Sequence, residues 1–323
     1  MRHASDISKA VHSGTKSVES VLNEALKKAK KSVKLNAWIH PNRPGTLGQK
    51  EGLLAGVPIV LKDNIAQKDA PCSCASHILE GYVAPYNAHV VDLLLQQGAS
   101  ILGRCNMDEF GMGSTNEHSI YGPCLNPWDN TRVPGGSSGG AAALVAEGVC
   151  PIGIGSSTGG SARQPAAYCG VVGLKPTYGR VSRRGLVAYA SSLDVIAPIA
   201  ASVEDSAIAL EAICGSDPLD ESECSPNAVN ALSSLSKGVE GLTIGILEEG
   251  LSENNAPDIN TGVLASAEAL QAAGARVKRI SIGAKALHQA LATYYILAPA
   301  EASSNLSRFD GIRFGPRNPH TDL

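Results

Sequence analysis

Large side chains are scarce in this sequence. Its 323 residues include two Trp, three Phe and three Met, and aromatics make up only 4%. Bulky rings therefore cannot carry the core, and small aliphatic residues must pack it instead. No apolar run approaches the roughly 20 residues that cross a bilayer as a helix, so a membrane-spanning reading is excluded. A net charge of −3 leaves no global positive field for nucleic acid. Any such partner would have to meet a local patch or another subunit. The one dense basic stretch, Lys27-Lys28-Ala29-Lys30-Lys31, continues a segment whose Val18, Val21, Leu22, Ala25 and Leu26 form an apolar stripe, so it reads as the solvated face of a helix. The eight cysteines are scattered, and Cys72-Ser73-Cys74 is the one close pair. That spacing is not a zinc knuckle and no second pair completes it, so no metal site is expected. Reduced thiols, with no secretory leader in the sequence, point to a cytoplasmic setting.

What the chain has in quantity is glycine, 34 residues, concentrated in two serine-bearing clusters. The first is Pro134-Gly135-Gly136-Ser137-Ser138-Gly139-Gly140. The second is Gly155-Ser156-Ser157-Thr158-Gly159-Gly160-Ser161-Ala162-Arg163-Gln164-Pro165, and Ser161 lies 24 positions after Ser137. Glycine lets backbone N–H groups approach a ligand closely, so paired clusters can build an anion or oxyanion pocket. A flexible linker is the other meaning of Gly/Ser tracts. Here, however, an apolar helix former, Ala141 to Ala146, and a short strand, Pro151 to Ile154, lie between the clusters, and a linker has no reason to alternate with core elements.

Around these clusters the hydrophobic pattern alternates between the two periods. Helices are predicted from a cap at Thr15 or Ser17 through about Lys31, over Asn87–Gln97 with Gly98 as C-cap, Ser202–Cys214 with a capping box, Thr261–Ala273 and Ala284–Asn305. Strands are predicted at Gly56–Lys62, Ser100–Gly103, Leu242–Leu247 and Ala275–Ile280, with shorter ones within Cys169–Thr177 and Gly185–Tyr189. Residues Asp108 to Asn130 read as a polar loop and Asp217 to Lys237 as an exposed connection. The alternation argues an α/β fold, a sheet with helices on both faces. Lys62 ends the run Gly56-Val57-Pro58-Ile59-Val60-Leu61. It reads either as a surface lysine just past a strand or as a ligand-site lysine, since α/β folds keep their sites at the carboxyl ends of strands.

Histidine is the usual base beside a serine nucleophile, yet none of the eight histidines has a recognisable triad partner, and there is no G-x-S-x-G elbow. Neither glycine cluster matches a phosphate-binding G-x-x-x-x-G-K-[ST] or G-x-G-x-x-G pattern. A buried lysine is the remaining base, because desolvation favours its neutral form. On these grounds alone any of Ser137, Ser138, Ser156, Ser157 and Ser161 can be the reactive serine.

Lys62 in Val60-Leu61-Lys62-Asp63-Asn64, the Ser137 cluster and the Ser161 cluster together resemble the three signatures of the amidase signature family, in matching order and spacing. The resemblance runs from about Val18 to Arg313. It implies the amidase signature fold, with a mixed central β-sheet, helices on both faces and an N-terminal helical layer over about residues 1–50, all in one amidase domain across residues 1–323. It implies Ser161 as acylated nucleophile, Ser137 as a bridging serine after a cis peptide bond from Gly136, and Lys62 as general base. Thr158, Gly159 and Gly160 would be the oxyanion hole, and Met112, Gly113 and Ser114 would bind substrate. Four further stretches are similar to the branch of the family that forms the A subunits of glutamine-dependent tRNA amidotransferases: Asn106–Glu117, Lys175–Arg183, Ala190–Asp194 and Glu301–Leu306. That similarity implies glutamine as substrate and B and C subunits as partners in a heterotrimer. It further implies tRNA held through the B subunit, no cofactor in this chain, ATP and Mg used at the partner, and a bacterial cytoplasmic or mitochondrial matrix location. A stand-alone amidase, or a weakly active structural subunit, is the alternative. Two residues depart from the family pattern: Ser157 stands where Asp is usual, and Ala197 where Gly is usual. The sequence ends at Leu323, where the family's subunits continue, so the C-terminal part of the family domain is expected to be missing.

Overall fold

The computed structural model describes residues 3–40, 45–222 and 229–315. Main-chain contacts divide the chain into two compact units, one of residues 1–232 and 300–323, the other of residues 233–299.

The first unit is built on a six-stranded mixed sheet. Its strands are β1 (Trp38–Ile39), β2 (Pro58–Lys62), β3 (Ser100–Cys105), β4 (Ile152–Ser157), β5 (Val172–Gly173) and β6 (Val195–Ala200), in spatial order β1-β3-β2-β4-β6-β5. β2 is parallel to both β3 and β4, whereas β6 runs antiparallel to β4 and β5, and β1 antiparallel to β3. Side chains alternate along each strand. Ile59, Leu61, Ile152, Ile154 and Ile196 therefore enter one core, with Val90, Val91 and Leu94 of helix α3 (His89–Gln96) and Ile208, Ala209 and Ala212 of α6 (Val203–Ile213). Val60, Ala197 and Ile199 enter the opposite core, with Leu22 and Ala25 of α2 (Val18–Lys31) and residues 141–145 of α4 (Gly139–Ala146). Helices thus cover both faces, and the expected α/β architecture with a mixed central sheet is what the chain adopts.

Small residues set how closely α4 approaches the sheet. A Cβ added at Gly153 would meet the Ala141 Cβ at 3.1 Å, and one at Gly155 would meet the Ser138 Oγ at 2.7 Å. Residues 139–145 are fully buried, which is how a core poor in aromatics reaches close packing.

Helix caps follow the sequence. Ser17 accepts from the Ser20 N–H at 3.1 Å, Ser202 accepts from the Asp205 N–H at 3.0 Å, and Gly98 after α3 has φ +84°. Several elements lie outside the predicted spans, among them α1 (Ala4–His12), α5 (Arg163–Tyr168) and β6. α1 has no side-chain cap of its own; the carboxylate of Asp205 on α6 accepts from the Ala4 N–H at 2.7 Å instead. α5 is too short to show a helical period. β6 contains Pro198, which argues against an interior strand, but its carbonyl still accepts from the Leu174 N–H at 3.0 Å. Two expectations are trimmed: Cys169–Thr177 supplies only the two residues of β5, and Gly185–Tyr189 forms no strand beyond an isolated Ile65–Leu186 bridge.

In the second unit, β7 (Thr243–Leu247) and β8 (Arg276–Ile280) pair in parallel, connected by α8 (Pro257–Ala272). A four-residue helix, α7 (Leu232–Leu235), falls where the chain passes from the first unit to the second, and α9 (Ala284–Leu306) runs from the second unit into the first.

Candidate active site

Lys62 is the last residue of β2 and shares the side-chain direction of Val60, toward α4. There its Nζ lies 2.6 Å from the Ser137 Oγ and donates to the Ser156 carbonyl at 3.4 Å. Lys62 is 0% exposed and Ser137 1%. Ser137 sits immediately before α4, and its peptide bond from Gly136 is cis. The glycine at 136 is a spatial requirement, since a Cβ there would lie 2.1 Å from the Asp108 Oδ2.

Among the described residues no carboxylate forms an ion pair with Lys62. Burial pushes its amine down from the usual lysine range to about 8, partly opposed by the charges of Asp108, Cys105, Asp194 and Cys74. Asp108 and Asp194 are themselves pushed up by burial, against the N–H groups that bond their oxygens. The Asp108 carboxylate accepts from the Asn116 and His118 N–H groups, and the Ser137 carbonyl accepts from the Asp108 N–H at 3.3 Å. The result is a lysine amine that loses its proton near pH 8, against a serine hydroxyl, in a water-poor interior. A group of that description can act as a base.

Ser161 follows the turn that leaves β4. Its carbonyl accepts from the Ser138 N–H at 3.1 Å, so the two glycine clusters are joined by main chain. Its hydroxyl is half-buried and has no hydrogen-bond partner among the described residues. The Gly160 carbonyl accepts from the Gln164 N–H at 2.9 Å, while among the described residues no loop or turn hydrogen bond uses the N–H of Thr158, Gly159 or Gly160. N–H groups left unused beside a serine hydroxyl are the chemical requirement for holding a developing oxyanion. Ser138 and Ser156, the other serines left open by sequence, serve packing: Ser138 Oγ donates to the Ser156 carbonyl at 3.1 Å, and Ser156 Oγ accepts from the Asn64 amide at 2.9 Å. The Ser157 Oγ is buried and has no partner among the described residues.

The Met112–Ser114 segment borders this site from the loop after β3. Met112 and Ser114 are exposed and Gly113 half-buried. A Cβ on the neighbouring Gly111 would lie 3.6 Å from the Ser137 Oγ, which places the backbone of the loop against the site. With its amide turned to donate, Gln164 reaches the carbonyls of Ser114 and Gly136, each at 3.0 Å. Asp108, Asp194 and Gln164 are the site residues that the sequence reading did not single out. Asp108 and Asp194 are isolated polar residues in loops whose burial arises only when the sheet forms, and Gln164 lies in α5, which is too short to show a period. A cleft of about 230 Å³ opens beside Asp194, lined also by Arg183, Ala188 and Ser191.

Among the described residues no three His, Cys, Asp or Glu side chains are grouped to hold a metal, and no helix is long and apolar enough to cross a membrane.

Known proteins resemble the chain along nearly its whole length. It is 50% identical over 278 residues to the A subunit of the glutamyl-tRNA(Gln) amidotransferase of Natranaerobius thermophilus, covering 85% of this chain and 56% of that protein. It is 44% identical to the corresponding protein of Prochlorococcus marinus, with 96% and 67% covered. The chain thus spans between about half and two thirds of the length of these relatives. The crystal structure of the Thermotoga maritima counterpart, again a glutamyl-tRNA(Gln) amidotransferase A subunit, superposes with a TM-score of 0.84 at 42% identity, covering 92% of this chain and 65% of that one. The peptide amidase of Stenotrophomonas maltophilia superposes at 0.83 with 29% identity, covering 95% and 67%. The family model described as Amidase matches residues 2–322, and with that match the chain belongs to the amidase family.

Proposed function

We propose that this chain is the glutamine-hydrolysing subunit of a tRNA-dependent amidotransferase and carries a Ser-Ser-Lys triad. The 2.6 Å approach of Lys62 to Ser137 in a buried site carries this reading. At neutral pH roughly a tenth of Lys62 would be uncharged, given an amine pushed down to about 8. Neutral Lys62 takes the Ser137 proton as Ser137 takes that of Ser161. The Ser161 oxygen then attacks the side-chain amide carbon of glutamine. The N–H groups of Thr158, Gly159 and Gly160 receive the oxyanion, and the C–N bond breaks as Ser137 returns a proton to the leaving nitrogen. Ammonia departs and a γ-glutamyl ester remains on Ser161. Water then attacks that ester, with Lys62 and Ser137 again accepting the proton, and glutamate is released.

Met112, Gly113 and Ser114 border the pocket as substrate contacts. The steps require no cofactor of this chain. Similarity to amidotransferase A subunits supports B and C subunits as partners in a heterotrimer, with ATP and Mg used at the B subunit to activate Glu-tRNA(Gln) for conversion to Gln-tRNA(Gln), and a cytoplasmic location. Both units would belong to one amidase domain. The comparable superposition of a peptide amidase supports a second reading, a stand-alone amidase on a small amide.

The test is ammonia release from glutamine by the protein with and without its co-purifying subunits. Ser161→Ala is expected to abolish it, and Lys62→Ala to lower it at least ~100-fold. Full activity in Ser161→Ala would contradict the assignment, and partner-free activity on small amides but not glutamine would favour the second reading.

A further inference from the structure

The loop that presents Thr158, Gly159 and Gly160 has little to hold it. Its two glycines have no side chains, and a Cβ at Gly160 would meet nothing within 4 Å. At its far end the Ser161 and Gly160 carbonyls are fixed by the Ser138 and Gln164 N–H groups. At its near end the β4–β6 ladder stops at the Ser157–Val195 pair, so no strand hydrogen bond extends past that point. The next residue of each strand supplies the missing link. Thr158 Oγ1 donates to the Asp194 Oδ1 at 2.6 Å, and the other carboxylate oxygen accepts from the Tyr189 and Ala190 N–H groups at 2.8 and 3.1 Å. Asp194 is 3% exposed. A buried carboxylate is costly unless fully paired; here the Tyr189 and Ala190 N–H groups anchor it in the turn before β6, and the Thr158 hydroxyl ties the start of the loop to it.

We propose that Asp194 is a positioning residue for amide hydrolysis, clamping the Thr158 side chain so that the N–H groups of residues 158–160 point at the oxyanion. The inference rests on the acyl-serine reading above and adds to it a residue that touches no substrate. It separates two properties of Thr158: the N–H belongs to the oxyanion loop, while the hydroxyl serves only to aim it. A loop misplaced by about 1 Å can lose roughly 100-fold in rate, and the loss falls on the transition state more than on substrate binding.

The experiment compares Thr158→Val, Thr158→Ser, Asp194→Ala, Asp194→Asn and the Thr158→Val/Asp194→Ala double variant in the intact protein, with glutamine as substrate and active sites titrated with a fluorophosphonate. Thr158→Val keeps the N–H and the side-chain volume. Thr158→Val and Asp194→Ala are each expected to lower kcat by about 10–100-fold with KM within about threefold, and the double variant to be no slower than the worse single one. Thr158→Ser restores the hydroxyl and should restore kcat. In Asp194→Asn the amide oxygen can still accept both N–H groups while its NH₂ donates to Thr158, so it should recover most of the rate. Unchanged kcat per titrated site in Thr158→Val, or a loss in Thr158→Ser equal to that in Thr158→Val, would overturn the clamp. Ser161→Ala is measured alongside. If it abolishes hydrolysis while Thr158→Val is silent, the clamp alone fails; if it retains activity, the acyl-serine reading fails.

Discussion

Among the described residues, two neighbouring pairs of parallel strands are each joined by a helix, and they differ in what surrounds them. In β2-α3-β3 every residue of β2 is buried, cores lie on both faces, and the strand ends in the lysine of the site. In β7-α8-β8 the two strands pair in parallel with an equally regular register, yet no strand residue is fully buried, and Leu242 and Ile280 are about half exposed. Parallel strands are normally covered on both faces. Local pattern thus suffices to form the ladder, whereas a site needs the second layer: α4 over β2 and β4 is what desolvates Lys62.

Truncation of one core side chain in each unit sharpens this contrast most. Leu61→Ala, in the fully enclosed strand, is expected to cost about 2–5 kcal/mol in denaturant unfolding, and Ile246→Ala, half-buried on β7, about 1 kcal/mol. Equal losses would mean that the second unit is as tightly enclosed as the first.

Enclosure also makes the first unit pay for its base. The Lys62 amine, lowered to about 8 from 10.5, is charged in both folded and unfolded chains below pH 8, so its burial penalty is then constant. Between about pH 8 and 10.5 the unfolded chain holds more protons, and stability rises with pH there. The penalty at neutral pH is about 3 kcal/mol at ~1.4 kcal/mol per unit. Lys62→Met, isolating this contribution, should be more stable than the parent by about 1–3 kcal/mol at pH 7, after the loss of the Ser137 partner, and the gain should fade by about pH 10.5. A gain independent of pH would refute a neutralised lysine.

The smallest effect concerns Ser157. Its hydroxyl is buried without a partner among the described residues, and leaving such a group unpaired costs about 1–3 kcal/mol. Ser157→Ala should therefore stabilise the protein by about 1 kcal/mol in the same unfolding measurement. Destabilisation would show that the hydroxyl has a partner in solution.

Much of this was legible in the residues. The continuous apolar run Ile59-Val60-Leu61 placed Lys62 at a strand end, and the capping residues Ser17 and Ser202 started the helices they should. The ambiguity over five serines was not resolvable by pattern, because Ser138 and Ser156 differ from Ser137 only in which face of the fold they reach. Resemblance to a family supplied their roles, and the structure supplied the distance from Lys62 to Ser137. Asp194 and Gln164 escaped notice because the bonds that bring them to the site, from Thr158 and to the Ser114 and Gly136 carbonyls, join segments far apart in sequence. β6 escaped because its Pro198 mimics a strand breaker.

The central claim is that Ser161 is acylated with Lys62 as the ultimate proton acceptor. Rapid quenching of the intact protein with glutamine, followed by peptide mass spectrometry across pH 6–10, tests it directly. The account predicts a γ-glutamyl group on the peptide containing Ser161, formed at a rate that rises with pH and levels off above a midpoint near 8. An acyl group on Ser137 or another serine, or a rate flat across that range, would contradict it.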